Sequence, residues 1–448
     1  MNAVQLITPL VVLGIAIAIT GAISKHREWL LCGLTLALLA QSNPFVAKEL
    51  GSQQMGGQWL VVPALWVIAG LSLRSFGLAR FLSSRMGLAL LISMLYICAL
   101  LPAWSINGSV SIRRGLATAG IVAFGYGCLG GSLAESERRD ALLKWVLGTL
   151  VVYVLYQIAI VAQFGLEATL DPQDYERKNM LGYGRFATAE IVNACGMGHS
   201  AGTVAAIAAA RIFSPGSRRI LWAAIACIAL TVVVLSGTRG AMFGTIGSLC
   251  ILLVIGIVRR PTVGKWVAIS LLSIGGIVYS ETVQEALVLD PNKTAAQEFE
   301  DARWSGIEET IEMAPLEHWN PVLGAGAGAL DYMAERYPES HMESFVVRVW
   351  FEWGLGGVVY LLAILVMSIS VTRHEMSTGQ YLATPWVAYM WVSSLASFGP
   401  SIPTGDAAIF LAVVSSSPRS QLASSNPGTP FVGRLPPAQP NGHPQAAR

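Results

Sequence analysis

Two stretches of this chain, QLITPLVVLGIAIAITGAIS at 5–24 and WGLGGVVYLLAILVMSISVT at 353–372, each run through twenty residues without a charge. A bilayer core of about 30 Å is crossed by roughly 20 apolar residues in a helix. Runs of this kind recur at about 28–42, 57–73, 86–104, 115–132, 141–164, 187–210, 220–236, 241–258, 264–280 and 382–398, and the second quoted stretch belongs to a span at 350–371. Only helices and closed barrels satisfy their backbone inside hydrocarbon. These runs are continuously apolar rather than alternating, which argues against a barrel. The chain therefore reads as an all-α polytopic integral membrane protein with about twelve transmembrane helices. Composition agrees: of 448 residues 54% are hydrophobic and 12% charged, too few charges to cover a soluble globule of this size.

Lys and Arg near helix ends give the orientation. One set of alternate loops carries fifteen of them, at 25, 27, 74, 80, 85, 138, 139, 144, 211, 218, 219, 259, 260, 265 and 373, while the short loops of the other set carry Lys48, Arg113, Arg114 and Arg239. The first set is expected to face the cytoplasm. The domain reading is then a helix bundle over 1–280 with an outer loop at 165–186, a large outer loop over 281–343, two C-terminal spans over 344–414, and a tail over 415–448. The tail is rich in Pro, Ser, Gly and Asn and is expected to be disordered. The stretch before it is short and broken by proline, so the side on which the chain ends stays open. The first segment lacks a basic n-region and reads as a retained helix. The six cysteines all fall in predicted spans without CxxC spacing and read as packing residues. No basic cluster with interleaved aromatics appears, so nucleic acid is not an expected partner.

Three motifs interrupt the apolar pattern. In LSGTRGAMFG, 235–244, Arg239 stands in a very short outer turn between two spans. An arginine at membrane level is costly without a partner, and its planar fork suits a phosphate. The next helix begins there with its positive end outward; the plain alternative is a snorkelling arginine at the headgroups. In the outer loop, EDARWSGIEETIEMAPLEHWNPVLGAGAGAL, 300–330, has helical periodicity to the early 310s and then a glycine-rich turn. That turn follows no Rossmann strand, so dinucleotide binding is rejected, though Gly324 and Gly326 would bring backbone close to a substrate. This loop holds 14 Asp or Glu against Lys293, Arg303 and Arg336, so one placed arginine, Arg303, is the candidate to hold an anion there. In SHMESFVVRVWFEWGLGG, 340–357, Ser340 and Glu343 match a capping box, which puts His341 at the first helical position at the outer mouth of a span. A histidine there can serve as a base near neutral pH; the plain alternative is a solvated loop histidine. Arg348 and Glu352 are spaced for an ion pair along the helix.

Taken in order, TRGAMFG, ARW…NPVLGAGAGAL and the HMESFVVRVWFEWGLGG stretch resemble the O-antigen ligase superfamily, the ligases and the Wzy-type polysaccharide polymerases. The likeness covers residues 235–362. It implies a GT-C-like glycosyltransferase without metal or other cofactor, in the bacterial inner membrane with its active site facing the periplasm. It moves a glycan from an undecaprenyl-diphosphate-linked oligosaccharide to a lipid-linked glycan or a lipid A core. Carried over, Arg239 and Arg303 hold the donor diphosphate, His341 engages the acceptor hydroxyl, and Arg185, Gly324, Gly326 and Glu343 are cavity candidates. His199 reads better as a packed helix histidine. Met342 stands where the pattern has Asn, which inclines the reading toward a polymerase working beside chain-length or export proteins. The alternatives are a transporter or flippase of lipid-linked oligosaccharide, and a structural partner without activity.

Overall fold

The architecture below is that of a computed structural model, which describes residues 3–41, 81–82, 84–104, 115–116, 118–120, 122–134, 139–164, 194–213, 218–236, 238–259, 308, 312, 320–327, 329, 344–379, 381–396 and 405–416. All of them belong to one compact unit, Met1–Ser417. The described residues are helical and turn, with no strand among them. In chain order the helices are α1 (Ala3–Ser24), α2 (Arg27–Gln41), α3 (Arg85–Trp104), a π-helix (Ala123–Gly130) running into the single turn α4 (Gly131–Ala134), α5 (Arg139–Phe164), α6 (Ala194–Phe213), α7 (Arg219–Leu235), α8 (Arg239–Arg259), α9 (Phe345–Thr378), α10 (Thr384–Ala396) and α11 (Gly405–Ser415). Leu and Ala, which favour helix, are frequent in these segments, and the β-branched Ile and Val beside them are held helical by packing.

Part of the bundle interior is built from small apolar residues. Every residue of α6 from 201 to 210 is buried, mostly alanine, and α10 is buried from its first residue to Met390. Such a helix, apolar all round, belongs among other helices. α6 packs against α5, α7, α8 and α10, α9 against α3, α10 and α11, and α1 lies along α2 as a tight hairpin. Glycines set these approaches. A methyl on Gly33 would stand 2.5 Å from the carbonyl of Gly14 on α1, so nothing but hydrogen fits there. Trp353, Phe351, Phe124 and Leu90 are buried as well, while many other large apolar side chains lie on the outside. Ile220 is 89% and Ile23 69% exposed, joined by Val152, Val254, Leu95, Leu362 and many more. By length and composition α9 is the one helix among the described residues able to cross a membrane, with shorter apolar helices at Val12–Ser24, Arg85–Leu100, Arg219–Val234 and Gly240–Ile255.

One end of the bundle is closed by a single carboxylate. α9 runs on past its apolar stretch to Thr378 and stops at Gly379, whose left-handed backbone (φ 75°) sends its N–H to the carbonyl of Glu375. Glu375 is 2% exposed. It accepts the backbone N–H groups of Leu382 (3.1 Å), Ala383 (2.8 Å) and Thr384 (2.7 Å) and the Thr384 hydroxyl (2.8 Å), satisfying the free donors at the start of α10. Arg139, at the start of α5, brings Nη2 within 3.9 Å of the same carboxylate and donates Nε–H to the carbonyl of Ser416 at 2.6 Å. Four helices thus meet at this end: α5, α9, α10 and α11.

Three expectations change. The span at 115–132 is not one α-helix: its second half is the π-helix AFGYGCLG, pressed against α11, where a methyl on Gly130 would stand 1.9 Å from Ser415 Oγ. The π form widens the coil to admit that contact, a tertiary effect with no local signature. The stretch of unknown course after 400 forms α11, which returns to the end where Arg139 and Glu375 lie. The helix at 340–357 does not begin at His341. Ser344 is extended (φ −75°, ψ 116°), α9 starts at Phe345, and the first helical bond runs from the N–H of Arg348 to the carbonyl of Ser344 at 2.8 Å. Ser340 and Glu343 therefore do not form the box that starts α9. The expected spans at 57–73 and 264–280, the outer loop at 165–186, nearly all of the loop at 281–343 and the tail after Ser416 lie outside the described residues.

Candidate functional site

The α7–α8 junction is three residues long. α7 ends at Leu235, Ser236 and Thr238 are buried in the turn, and α8 begins at Arg239; the junction is short, as expected, but Arg239 starts the helix instead of standing in the turn. Ser236 Oγ donates to the carbonyl of Val233 at 2.8 Å and accepts the N–H of Thr238 at 3.3 Å. The N–H of Met242 bonds the carbonyl of Thr238 at 3.0 Å, which opens α8. Neighbouring helices leave the turn no slack: a methyl on Gly198 of α6 would stand 2.5 Å from Ser236 Oγ and 2.7 Å from Thr238 Cβ. The backbone that carries Arg239 is therefore fixed at the positive end of a 21-residue helix.

The glycine-rich turn and the FEWGLGG stretch, distant in the chain, form one seam. α9 breaks at Gly354 (φ 54°, ψ −132°), a conformation open to glycine alone. The break frees carbonyls on one side and an N–H on the other, and residues 320–327 take them. Ala325 N–H bonds the carbonyl of Phe351 and Gly326 N–H that of Glu352, both at 2.9 Å, while Leu355 N–H bonds the carbonyl of Val322, also at 2.9 Å. Asn320 shapes the turn, its Oδ1 accepting the N–H groups of Val322 (2.8 Å) and Leu323 (3.2 Å). The Tyr96 hydroxyl of α3 donates to the carbonyl of Val322, and its ring lies where a side chain on Gly356 would be. The position of a Cβ on Gly324 is filled by the carbonyl of Glu352, 2.3 Å away, so that side of Gly324 faces α9. Gly326 (φ 106°) is buried beside it.

Next to the break sits a buried ion pair. Arg348 approaches Glu352 Oε1 with Nη2 at 3.1 Å and Nε at 3.2 Å, the pair expected from the i, i+4 spacing, and both residues are more than nine-tenths buried. Two charges out of water are tolerated because the fork geometry repays part of their desolvation. Trp353, 1% exposed, completes this stretch and meets the Tyr360 ring edge-on at 5.3 Å.

No protein-family model and no curated protein matches this chain.

Of the residues singled out from sequence, Gly324 and Gly326 are described and lie together in the seam. Arg239 is described as the first residue of α8. Its side chain, and the whole of Arg185, Arg303, His341 and Glu343, lie outside the described residues. Two groups escaped the sequence reading. Tyr96 and Tyr389 are single aromatics in apolar runs, with no pattern to mark them. Gly198 and Gly202, spaced as small-xxx-small, carried a usable signal for close helix packing. Among the described residues no three His, Cys, Asp or Glu side chains converge on one point, and Cys32, Cys98, Cys227 and Cys250 are free thiols.

Proposed function

We propose that this chain is a membrane-embedded glycosyltransferase. It takes a glycan from an undecaprenyl-diphosphate carrier and transfers it to an acceptor hydroxyl at the periplasmic face, as an O-antigen or exopolysaccharide polymerase or as an O-antigen ligase. The observation that carries the reading is the seam. Two motifs of the resemblance, NPVLGAGA and FEWGLGG, meet through three backbone hydrogen bonds although about thirty residues separate them. The many exposed large apolar side chains, the glycine-mediated helix approaches and the fixed start of α8 at Arg239 support a membrane setting and an anion partner.

In this reaction the acceptor oxygen attacks the anomeric carbon, the bond from that carbon to the diphosphate oxygen breaks, and the hydroxyl proton passes to His341. Negative charge grows on the departing diphosphate, and Arg239 and Arg303 stabilise it. A second reading, transport or flipping of the lipid-linked oligosaccharide, is favoured by one specific feature. A broken helix beside a buried Arg348–Glu352 pair is the kind of element transporters build sites from.

The test is reconstitution. Purified protein in nanodiscs, given undecaprenyl-diphosphate-linked repeat units and a chelator, is expected to build longer lipid-linked chains, and His341→Ala and Arg239→Ala to abolish this while the protein still inserts. Transfer that begins only when lipid A core is added would make it a ligase. If neither acceptor reacts and proteoliposomes instead move the lipid-linked oligosaccharide across the bilayer, the transport reading replaces it.

A further inference from the structure

The interior around His199 is built to hold the start of α8 in place. Three helices meet here with glycine instead of side chains at each crossing. On α6, a methyl on Gly198 would touch Ser236 and Thr238 of the α7–α8 turn, and one on Gly202 would stand 2.6 Å from Tyr389 Cε2, 2.8 Å from the Tyr389 hydroxyl and 2.9 Å from Thr245 Oγ1. On α8, one on Gly244 would stand 2.8 Å from both Ser393 Cβ and Tyr389 Cε2, and one on Gly247 would stand 2.6 Å from Val392 Cγ2. The Tyr389 ring of α10 thus fills two slots at once, one on α6 and one on α8. Where that ring sits sets the distance between those helices.

His199 controls where the ring sits. It lies on α6 between Gly198 and Gly202, with Nδ1 2.8 Å from the Tyr389 hydroxyl and 3.4 Å from Ser393 Oγ, its ring edge-on to that of Tyr389 at 6.1 Å. An apolar residue would fill the same space. The hydrogen bond adds direction: it fixes the rotation of Tyr389, and through Gly244 the height of α8. Thr238, wedged against Gly198, is the residue before Arg239.

We infer that His199, through Tyr389, is a positioning residue for the α7–α8 turn, holding the Arg239 backbone where a prenyl diphosphate is gripped. This rests on the glycosyltransferase reading above. A supporting partner of this kind acts by removing small displacements of a binding group, and its loss is felt as weaker binding rather than as unfolding.

The experiment measures binding of farnesyl diphosphate, a soluble prenyl diphosphate, to the full chain in nanodiscs, alongside thermal unfolding. The variants are Arg239→Ala, His199→Leu, His199→Asn and Tyr389→Phe, the last keeping the ring in both glycine slots. The expected result is binding that depends on Arg239, weakened roughly tenfold or more in His199→Leu and Tyr389→Phe. In His199→Asn, whose amide stands close to the place of Nδ1, binding is expected near that of the parent, with all four unfolding within a few degrees of it. Binding that depends on Arg239 yet ignores His199→Leu and Tyr389→Phe overturns the inference and leaves the reading standing. So does a loss that His199→Asn shares and that follows a fall in unfolding temperature, since that is mere packing. Absence of any Arg239-dependent binding overturns the reading, and the inference with it.

Discussion

The two joints of α9 solve the same problem with opposite materials. At Gly354 the helix is interrupted and the open backbone groups are met by the backbone of residues 320–327. At Glu375 one side chain gathers the open backbone groups of the next helix and holds Arg139 nearby. A joint made of backbone is neutral and compact, and it tolerates no bulk at the positions where the two chains touch. A joint made of a carboxylate tolerates bulk around it but depends on charge. Strain and clash are the weakness of the first, and stranded backbone donors are the weakness of the second.

Substitutions that target one material and spare the other sharpen this contrast. The largest effect is expected for Gly354→Val. A Cβ there would stand 2.2 Å from the carbonyl of Val322 in a backbone region closed to branched residues, so a loss of about 4 kcal/mol or more is expected. Thermal unfolding in detergent, read by size exclusion, measures it; a variant as stable as the parent would mean that the break does not need glycine. Glu375→Gln comes second. It keeps the shape but turns charge-assisted bonds into neutral ones and leaves an NH2 among donors, for a loss of about 2–3 kcal/mol. The same assay checks this, and an unchanged midpoint would show that charge is not what closes that end. Tyr96→Phe is the smallest, about 1 kcal/mol, because it deletes one donor to the Val322 carbonyl and keeps the ring against Gly356. A loss as large as that of Gly354→Val would move the weight of the seam from backbone to side chain.

The sequence carried the helices better than their joints. Predicted ends for α1, α2, α3, α5, α7 and α8 fall within about two residues of the observed ones, because the apolar content that drives burial is written locally. The π-helix was hidden because it packs against α11, nearly three hundred residues on, and nothing local marks it. Glu375, in TRHEM, escaped the sequence reading, since nothing near it says that α9 runs on and that α10 starts within reach. Ser340 and Glu343 offered a cap in the right chemistry four residues too early. At the site, the tight turn at Arg239 was legible because the two expected spans left it only four residues, 237–240; the helix takes in Arg239 and leaves three. Both halves of the seam were singled out, one as a close approach of backbone to substrate and the other as a helix start. That they bind each other is a long-range fact, and neither half contains it.

Because the seam is joined through amide groups, a conventional alanine scan would pass over it. Replacing Val322, Leu323 or Leu355, all exposed, leaves each hydrogen bond in place, and Ala325 is already alanine. Random mutagenesis would return the same silence at these codons and a sharp intolerance at the glycines beside them. Variation among natural copies of this chain is expected to follow that pattern: freely drifting apolar letters on either side of Gly324 and Gly354, and those two letters unchanged. A map of functional importance drawn only from side-chain truncation would leave blank a place where two distant parts of the chain are tied together through their backbones.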